Sequence, residues 1–470
     1  MEGTTMKMNA MLGKLGRFLL GALALAIAPQ LAQAQEWGAV KYFQYNIENV
    51  IVTPASSGWN VKVVFSVTNP NDGYSAWDLK AIGGPFGTTG AGLNLDFGWD
   101  PIGDFTNTGS AGADLSSPIP APTLGPGAPG AAIPVRQSLL SAAAKPCDSK
   151  LLDCPGAVSY TNRYWVEKNV TPVAFFSAAV VKGRVAIEGK PVCNNIPLYT
   201  CAVANAPVPV TSATANFAFG DHQNLAAIVP DPRRPIVDIN KCHQCHDGQQ
   251  HGDVIVPKLT LHGTNRTENL GLCVVCHNPN QTDVPYRYQT AGTTADPRIA
   301  GKETPIDFKV LVHSIHAGGF RDTPYVVVGF NSSVNDFSDV RFPRELRKSC
   351  PDCHIDANGK GTFELPIKAA LGTTVKTQSN YLVPPASTRS ININPFDDLR
   401  MTPTAATCSA CHDKAEVRSH MVKTGGASFS TTQANIGTAI NEKCANCHGP
   451  GKDKDVRKVH EIGGSDGHDD

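Results

Sequence analysis

Lys241-Cys242-His243-Gln244-Cys245-His246 places two thiols three positions apart and an imidazole directly after the second. The arrangement returns at Cys273/Cys276/His277, Cys350/Cys353/His354, Cys408/Cys411/His412 and Cys444/Cys447/His448, so ten of the 14 cysteines fall into five identical pairs. Two thiols so spaced lie on one face of a helical turn, where each can form a thioether with a haem vinyl group while the next residue swings its imidazole onto the iron. No Cys-x-x-Cys here lacks its histidine, and the pattern is that of a chain carrying five covalently bound haem c. The competing reading is a set of zinc knuckles, since Cys-x-x-Cys is half of a tetrathiolate site. It leaves the histidine after every pair without a task.

The motif starts are 31, 77, 58 and 36 residues apart, too little chain for each haem to own a globular domain. The five must share one fold, with the macrocycles supplying much of its apolar core, so folding of this half should depend on haem attachment. Each iron needs a sixth ligand or carries an open site. Outside the signal region only Met401 and Met421 remain, so methionine serves at most two haems, whereas histidine is plentiful. His313 and His316 lie three apart on one helical face and are placed to reach two neighbouring irons. His420 and His460 follow motif histidines in polar segments that offer no packing role. His262 sits between the first two motifs, and His251 competes with it; His222, His243 and His468 read as ordinary polar residues.

Three stretches carry a resemblance: Val237-Asp238-Ile239-Asn240-Lys241-Cys242, His262-Gly263-Thr264-Asn265-Arg266, and Leu272-Cys273-Val274-Val275-Cys276-His277-Asn278-Pro279-Asn280. With Val312 to Gly319, Val340-Arg341-Phe342-Pro343, His420 and His460, they make residues 235–460 similar to the outer-membrane multihaem cytochromes of the OmcA/MtrC type. That resemblance implies a split β-barrel ahead of a pentahaem domain with bis-histidine ligation, and an electron conduit to extracellular acceptors. It implies His262, His313, His316, His420 and His460 as the distal ligands. The family pairs two such modules, whereas this sequence has one, and no lipoprotein cysteine follows its signal.

Residues 1–34 read as a secretory signal: Lys7, Lys14 and Arg17, then an apolar stretch from Phe18 to Ala28, then Ala32-Gln33-Ala34 as the cleavage site. Export suits haem attachment, which takes place outside the bacterial cytoplasm. No later apolar run is long enough to span a bilayer, so a soluble protein in the periplasm or at the cell exterior is expected. From 35 to 235 the periodicity is that of strands. In Asn60-Val61-Lys62-Val63-Val64-Phe65-Ser66-Val67-Thr68, residues Val61, Val63, Phe65 and Val67 share a face, and Asn69-Pro70-Asn71-Asp72-Gly73 makes the turn. Similar runs occur at Val40–Tyr45, Val158–Val166, Val173–Ile187 and Val208–Phe219, while Gly83–Val135, dense in Gly, Pro, Ser and Thr, reads as surface loop. The expected fold is an antiparallel split β-barrel or sandwich over 35–235, followed by a pentahaem cytochrome c domain with few short helices over 236–470. Cys147 with Cys154, and Cys193 with Cys201, suit two local disulfides in an oxidising compartment.

With 41 Lys+Arg against 41 Asp+Glu, the charge balance sets nucleic-acid binding aside. Each ferric haem with two imidazoles adds roughly −1 through its propionates, so the loaded protein should be acidic. The leading expectation is an exported electron carrier whose partners are other cytochromes or an outer-membrane porin–cytochrome complex, with flavins or metal oxides as acceptors. A reductase with one open haem is the alternative, and a filament of stacked subunits a third reading.

Overall fold

The computed structural model describes residues 35–56, 59–100, 119–120, 135–148, 154–155, 157, 159–170, 182–218, 235–252, 254–283, 303–329, 333–357, 360–366, 372–377, 390–391 and 398–463. The export signal, the run Val173–Val181, His222 and His468 lie outside the described residues.

Seven strands build the first half: β1 (Gln44–Pro54), β2 (Trp59–Asn69), β3 (Gly92–Asp100), β4 (Val135–Ser138), β5 (Tyr164–Val170), β6 (Lys182–Lys190) and β7 (Ala213–Ala218). One sheet runs β1-β2-β5, with the short pieces Ser75–Ala76 and Lys145–Pro146 at its margins; the other runs β7-β6-β3-β4. All these pairings are antiparallel. Val61, Val63, Phe65 and Val67 are buried on one face of β2, where they meet Leu93, Leu95 and Phe97 of β3, Val185 and Ile187 of β6 and Phe217 of β7 in one apolar cluster. Each such side chain contributes roughly 1.5–3 kcal/mol on burial. Two open sheets packed on a shared core make a sandwich; among the described residues they do not close into a barrel. After β2 the chain reverses as its residues demand: Asn69 accepts a hydrogen bond from the Asn71 amide at 3.0 Å, and Gly73 takes the left-handed conformation at φ 72°.

Both expected disulfides are formed. Cys147–Cys154 lies over Val64 on the outer face of β2 beside Trp165, and Cys193–Cys201 closes a loop on the main core. Closing loops this short stabilises by about 2.5 kcal/mol each.

Four strand assignments are corrected. Residues Trp37–Tyr42 form a 3₁₀ helix, and the strand begins at Gln44. The strand expected at Val158–Val166 begins at Tyr164, and that expected at Val208–Phe219 begins at Ala213. Most importantly, Gly83–Val135 is not all surface loop: β3 lies inside it as an interior strand of the second sheet, flanked by β6 and β4. Its alternation of Leu93, Leu95 and Phe97 is masked in the sequence by surrounding Gly and Pro.

Beyond residue 235 the described helices are short, Phe308–His316 and Ala415–Lys423 being nine residues each, and the strands make small two- and three-stranded sheets. The main apolar cluster described there has five buried members, Val310, Tyr325, Met401, Ala406 and Ala410. The helix Leu270–Cys276 and the hairpin before it dock on the second sheet: the Gly189 amide donates to Asn265 O at 2.8 Å, the Ser212 amide to Thr267 O at 3.0 Å, and Arg184 Nη1 to Gly271 O at 2.9 Å.

Candidate functional site

In every motif the histidine amide donates to the carbonyl of the first cysteine, at 2.8 Å for His246, His277, His412 and His448 and 3.0 Å for His354. One helical turn thus gathers two thiols and an imidazole on a common side. Local caps set the turns: Asp238 accepts from the Asn240 amide at 2.9 Å ahead of the first motif, and Asn269 from the Leu272 amide at 3.1 Å ahead of the second.

Each motif imidazole faces a second imidazole. The ring centres are 6.1 Å apart for His246 and His316, 6.1 Å for His277 and His262, 6.0 Å for His354 and His313, 5.9 Å for His412 and His460, and 6.4 Å for His448 and His420. A metal bonded at about 2 Å to two nitrogens, each roughly 1.1 Å from its ring centre, separates the centres by about 6 Å. The spacing fits an iron between each pair. Two imidazoles alone leave four coordination positions unfilled, and among the described residues no three His, Cys, Asp or Glu side chains converge on one point. A macrocycle supplying the four equatorial donors completes such a site.

The far side of the rings is prepared as well. Nδ1 of His246 lies 2.8 Å from Pro257 O, that of His277 3.1 Å from Ile306 O, that of His316 2.8 Å from Val312 O, that of His448 2.9 Å from Lys454 O and that of His460 2.9 Å from Val456 O. His354 Nδ1 lies 3.0 Å from Thr362 Oγ1. An Nδ1–H held by an oxygen leaves Nε2 as the unprotonated, ligating nitrogen. Burial strengthens this, pushing the imidazoles of His277 and His313 down to about 4 so that they stay neutral. His262 carries open surface, yet the protein around it, with Arg266 next in effect, pushes its imidazole down to about 3.

The cysteine pairs are not grouped for zinc, since among the described residues no three His, Cys, Asp or Glu side chains converge as a tetrathiolate site would require. Burial pushes Cys273 and Cys350 up to about 11 and Cys276 and Cys408 up to about 12. Cys242 lies beside Cys353, whose thiol holds it below its usual range, so the first and third motifs abut.

Of the competing histidines, His251 sits on the hairpin Gln250–His251/Val254–Ile255 with Nε2 3.0 Å from Asp247 Oδ1, and His243 Nε2 lies 3.5 Å from Glu268. Neither faces a motif imidazole.

Sequence reasoning missed a buried ion cluster where the sandwich meets the second motif. Asp96 and Glu188 are fully buried; Arg136 bonds Asp96 at 2.8 Å and Glu188 at 2.7 Å, and Arg266 bonds Glu188 from the other side. The signal was faint, because these residues are far apart in the chain and meet only through the antiparallel register that sets Asp96 opposite Arg136. Burial, with Glu188 adding to it, raises Asp96 to about 7 against the pull of Arg136. Unfolded, this carboxyl ionises near pH 4, so between pH 4 and 7 the folded state holds the extra proton and stability falls as pH rises. Hydrogen exchange of Lys182–Lys190 in the loaded protein should therefore show firmer protection at pH 5 than at pH 8, by on the order of a few kcal/mol. Asp96→Asn should flatten that dependence; an unchanged slope would assign it elsewhere.

Residues 234–461 match the family model of MtrC/MtrF-like outer membrane cytochromes, domains II/IV. Over those residues the chain is similar to the MtrC/MtrF-type cytochromes. Two solved structures are similar in part. The outer membrane decaheme cytochrome OmcA shares 17% identity with a TM-score of 0.40, over 90% of this chain and 48% of that one. MtrC from Shewanella baltica OS185 shares 15% with a TM-score of 0.44, over 91% and 54%. The chain spans about half the length of these cytochromes. No curated protein matches it. Among the described residues no helix is long and apolar enough to cross a membrane.

Proposed function

We propose that the chain is an exported electron conduit that carries five covalently attached haem c, each held between two histidines. The observation that carries this reading is the set of five imidazole pairs with ring centres 5.9–6.4 Å apart. The haems supply reversible one-electron chemistry; the chain's own residues attach, orient and space them. Cys242, Cys245, Cys273, Cys276, Cys350, Cys353, Cys408, Cys411, Cys444 and Cys447 form the thioethers. His246, His277, His354, His412 and His448 are the proximal ligands, opposed by His316, His262, His313, His460 and His420 respectively.

Neighbouring thiols indicate the order. Cys242 lies against Cys353 and near Cys273; Cys411 lies near Cys350, and Cys408 near Cys444. These neighbours favour a succession of motifs running second, first, third, fourth, fifth, with the second docked on the sandwich, the close succession that hopping requires. The acidic loaded protein suits cationic patches on partner cytochromes, a porin–cytochrome complex or a mineral surface. Flavins and metal oxides are the acceptors this reading favours, at the cell exterior or in the periplasm.

Low-temperature EPR of the oxidised protein, with a pyridine haemochrome count, tests the assignment. The rings of His354/His313 and His277/His262 lie 8° and 30° apart, whereas the other three pairs are crossed at 62° to 81°. Two ordinary rhombic low-spin signals and three strongly anisotropic ones are expected, with no high-spin iron. A resting high-spin haem would turn the reading toward a reductase.

A further inference from the structure

His262 differs from the other distal histidines in how it is held. His313 and His316 project from the helix Phe308–His316, His420 from the helix Ala415–Lys423, and His460 is tied through Nδ1 to Val456 O. His262 sits instead at the turn of the hairpin Thr260–Leu261/Arg266–Thr267; among the described residues nothing hydrogen-bonds its ring, as is also the case for His420. The turn is strained: His262, Gly263 and Thr264 stand in succession at φ 53°, 68° and 71°, a conformation natural only to the glycine. Such backbone persists where its surroundings insist on it, and here the sandwich does so. Lys190 Nζ bonds Gly263 O, Gln35 Nε2 donates to Thr264 Oγ1 at 3.0 Å, and the Gly189 amide holds Asn265 O at 2.8 Å. The grip is on the turn and not on the imidazole. Within electrostatic reach of the ring are the guanidiniums of Arg266 and Arg136, in the buried cluster they share with Glu188 and Asp96.

Taking the bis-histidine reading above as its basis, we propose that His262 is a displaceable ligand and that the iron position it guards is a binding site for a small inorganic anion. Exchange would break the iron–imidazole bond and form an iron–anion bond with no change of oxidation state; the freed imidazole would turn about its side-chain bonds while the sandwich keeps hold of the turn, and the nearby guanidiniums would favour the anion.

Sodium azide titrated into the oxidised, fully loaded protein is the test, read by EPR and the visible spectrum. About one fifth of the low-spin signal, the component from the rings 30° apart, should convert saturably to an azide–imidazole signal while the rest stays unchanged. In His262→Ala the position opens at rest, a high-spin fraction of about one haem appears, and azide binds about tenfold tighter or more. His316→Ala opens a different haem and should leave the original azide titration in place. If azide leaves the unmutated protein untouched, or if its titration survives unaltered in His262→Ala, the proposal falls. Should His262→Ala fail to load haem, the unmutated titration decides alone. A resting protein without five low-spin haems would defeat the bis-histidine reading itself, a result separable from the absence of azide binding.

Discussion

Produced without haem attachment, the chain is expected to keep its sandwich and lose ordered structure beyond it. Limited proteolysis should return a protected fragment that ends before Cys242, while the fully loaded protein should resist over both halves. The sandwich owns a large two-sheet core and both disulfides. Beyond it the apolar clusters are small, Val310, Tyr325, Met401, Ala406 and Ala410 in one and Val326 and Val328 in another, and the helices and sheets are short. On the proposed reading the attached porphyrins supply the remaining apolar core. Equal protection of the second half in haem-free protein would refute this account.

The second large effect is expected from His313→Ala combined with His316→Ala. One nine-residue helix presents the ligands facing His354 and His246, and those two motifs abut through Cys242 and Cys353. On the proposed reading, loss of both imidazoles opens two adjacent irons in the middle of the succession. Axial ligation tunes haem potentials over roughly 0.8 V, and a rise of roughly 120 mV holds an electron about a hundredfold longer on its haem. Transfer from the second motif to the fifth should slow by about that factor in flash-initiated kinetics, with a high-spin fraction of about two haems in five. Single loss of His420, at the end of the succession, should slow internal transfer far less. Equal rates in the double variant would break the proposed order.

Much of the sandwich could be read in advance because strand period and turn chemistry are local. Val61, Val63, Phe65 and Val67 lie on the buried face, and Asn69 to Gly73 makes the turn through its own side chains. β3 escaped notice for a physical reason: its three apolar residues stand in a stretch rich in Gly, Pro, Ser and Thr, and burial comes from sheets on both its edges rather than from its own composition. Val40–Tyr45 read as a strand from apolar alternation that a 3₁₀ turn of Trp37–Tyr42 also satisfies. The choice between His251 and His262 was likewise beyond spacing, since both fall between the same two motifs; docking of the Thr260–Thr267 hairpin on the sandwich carries His262 to His277 and leaves His251 with Asp247.

By itself the sequence set out the reactive groups: five thiol pairs each with an adjoining histidine, two nearby cysteine pairs for disulfides, and a strand-forming half joined to one with little apolar patterning. Those properties depend on neighbours within a few positions. Only the tertiary structure decided which imidazole stands opposite which, how the motifs succeed one another, and that Asp96, Glu188, Arg136 and Arg266 share one buried site. Each of those outcomes joins residues tens to more than a hundred positions apart, and sheet register and packing, rather than local preference, bring them together.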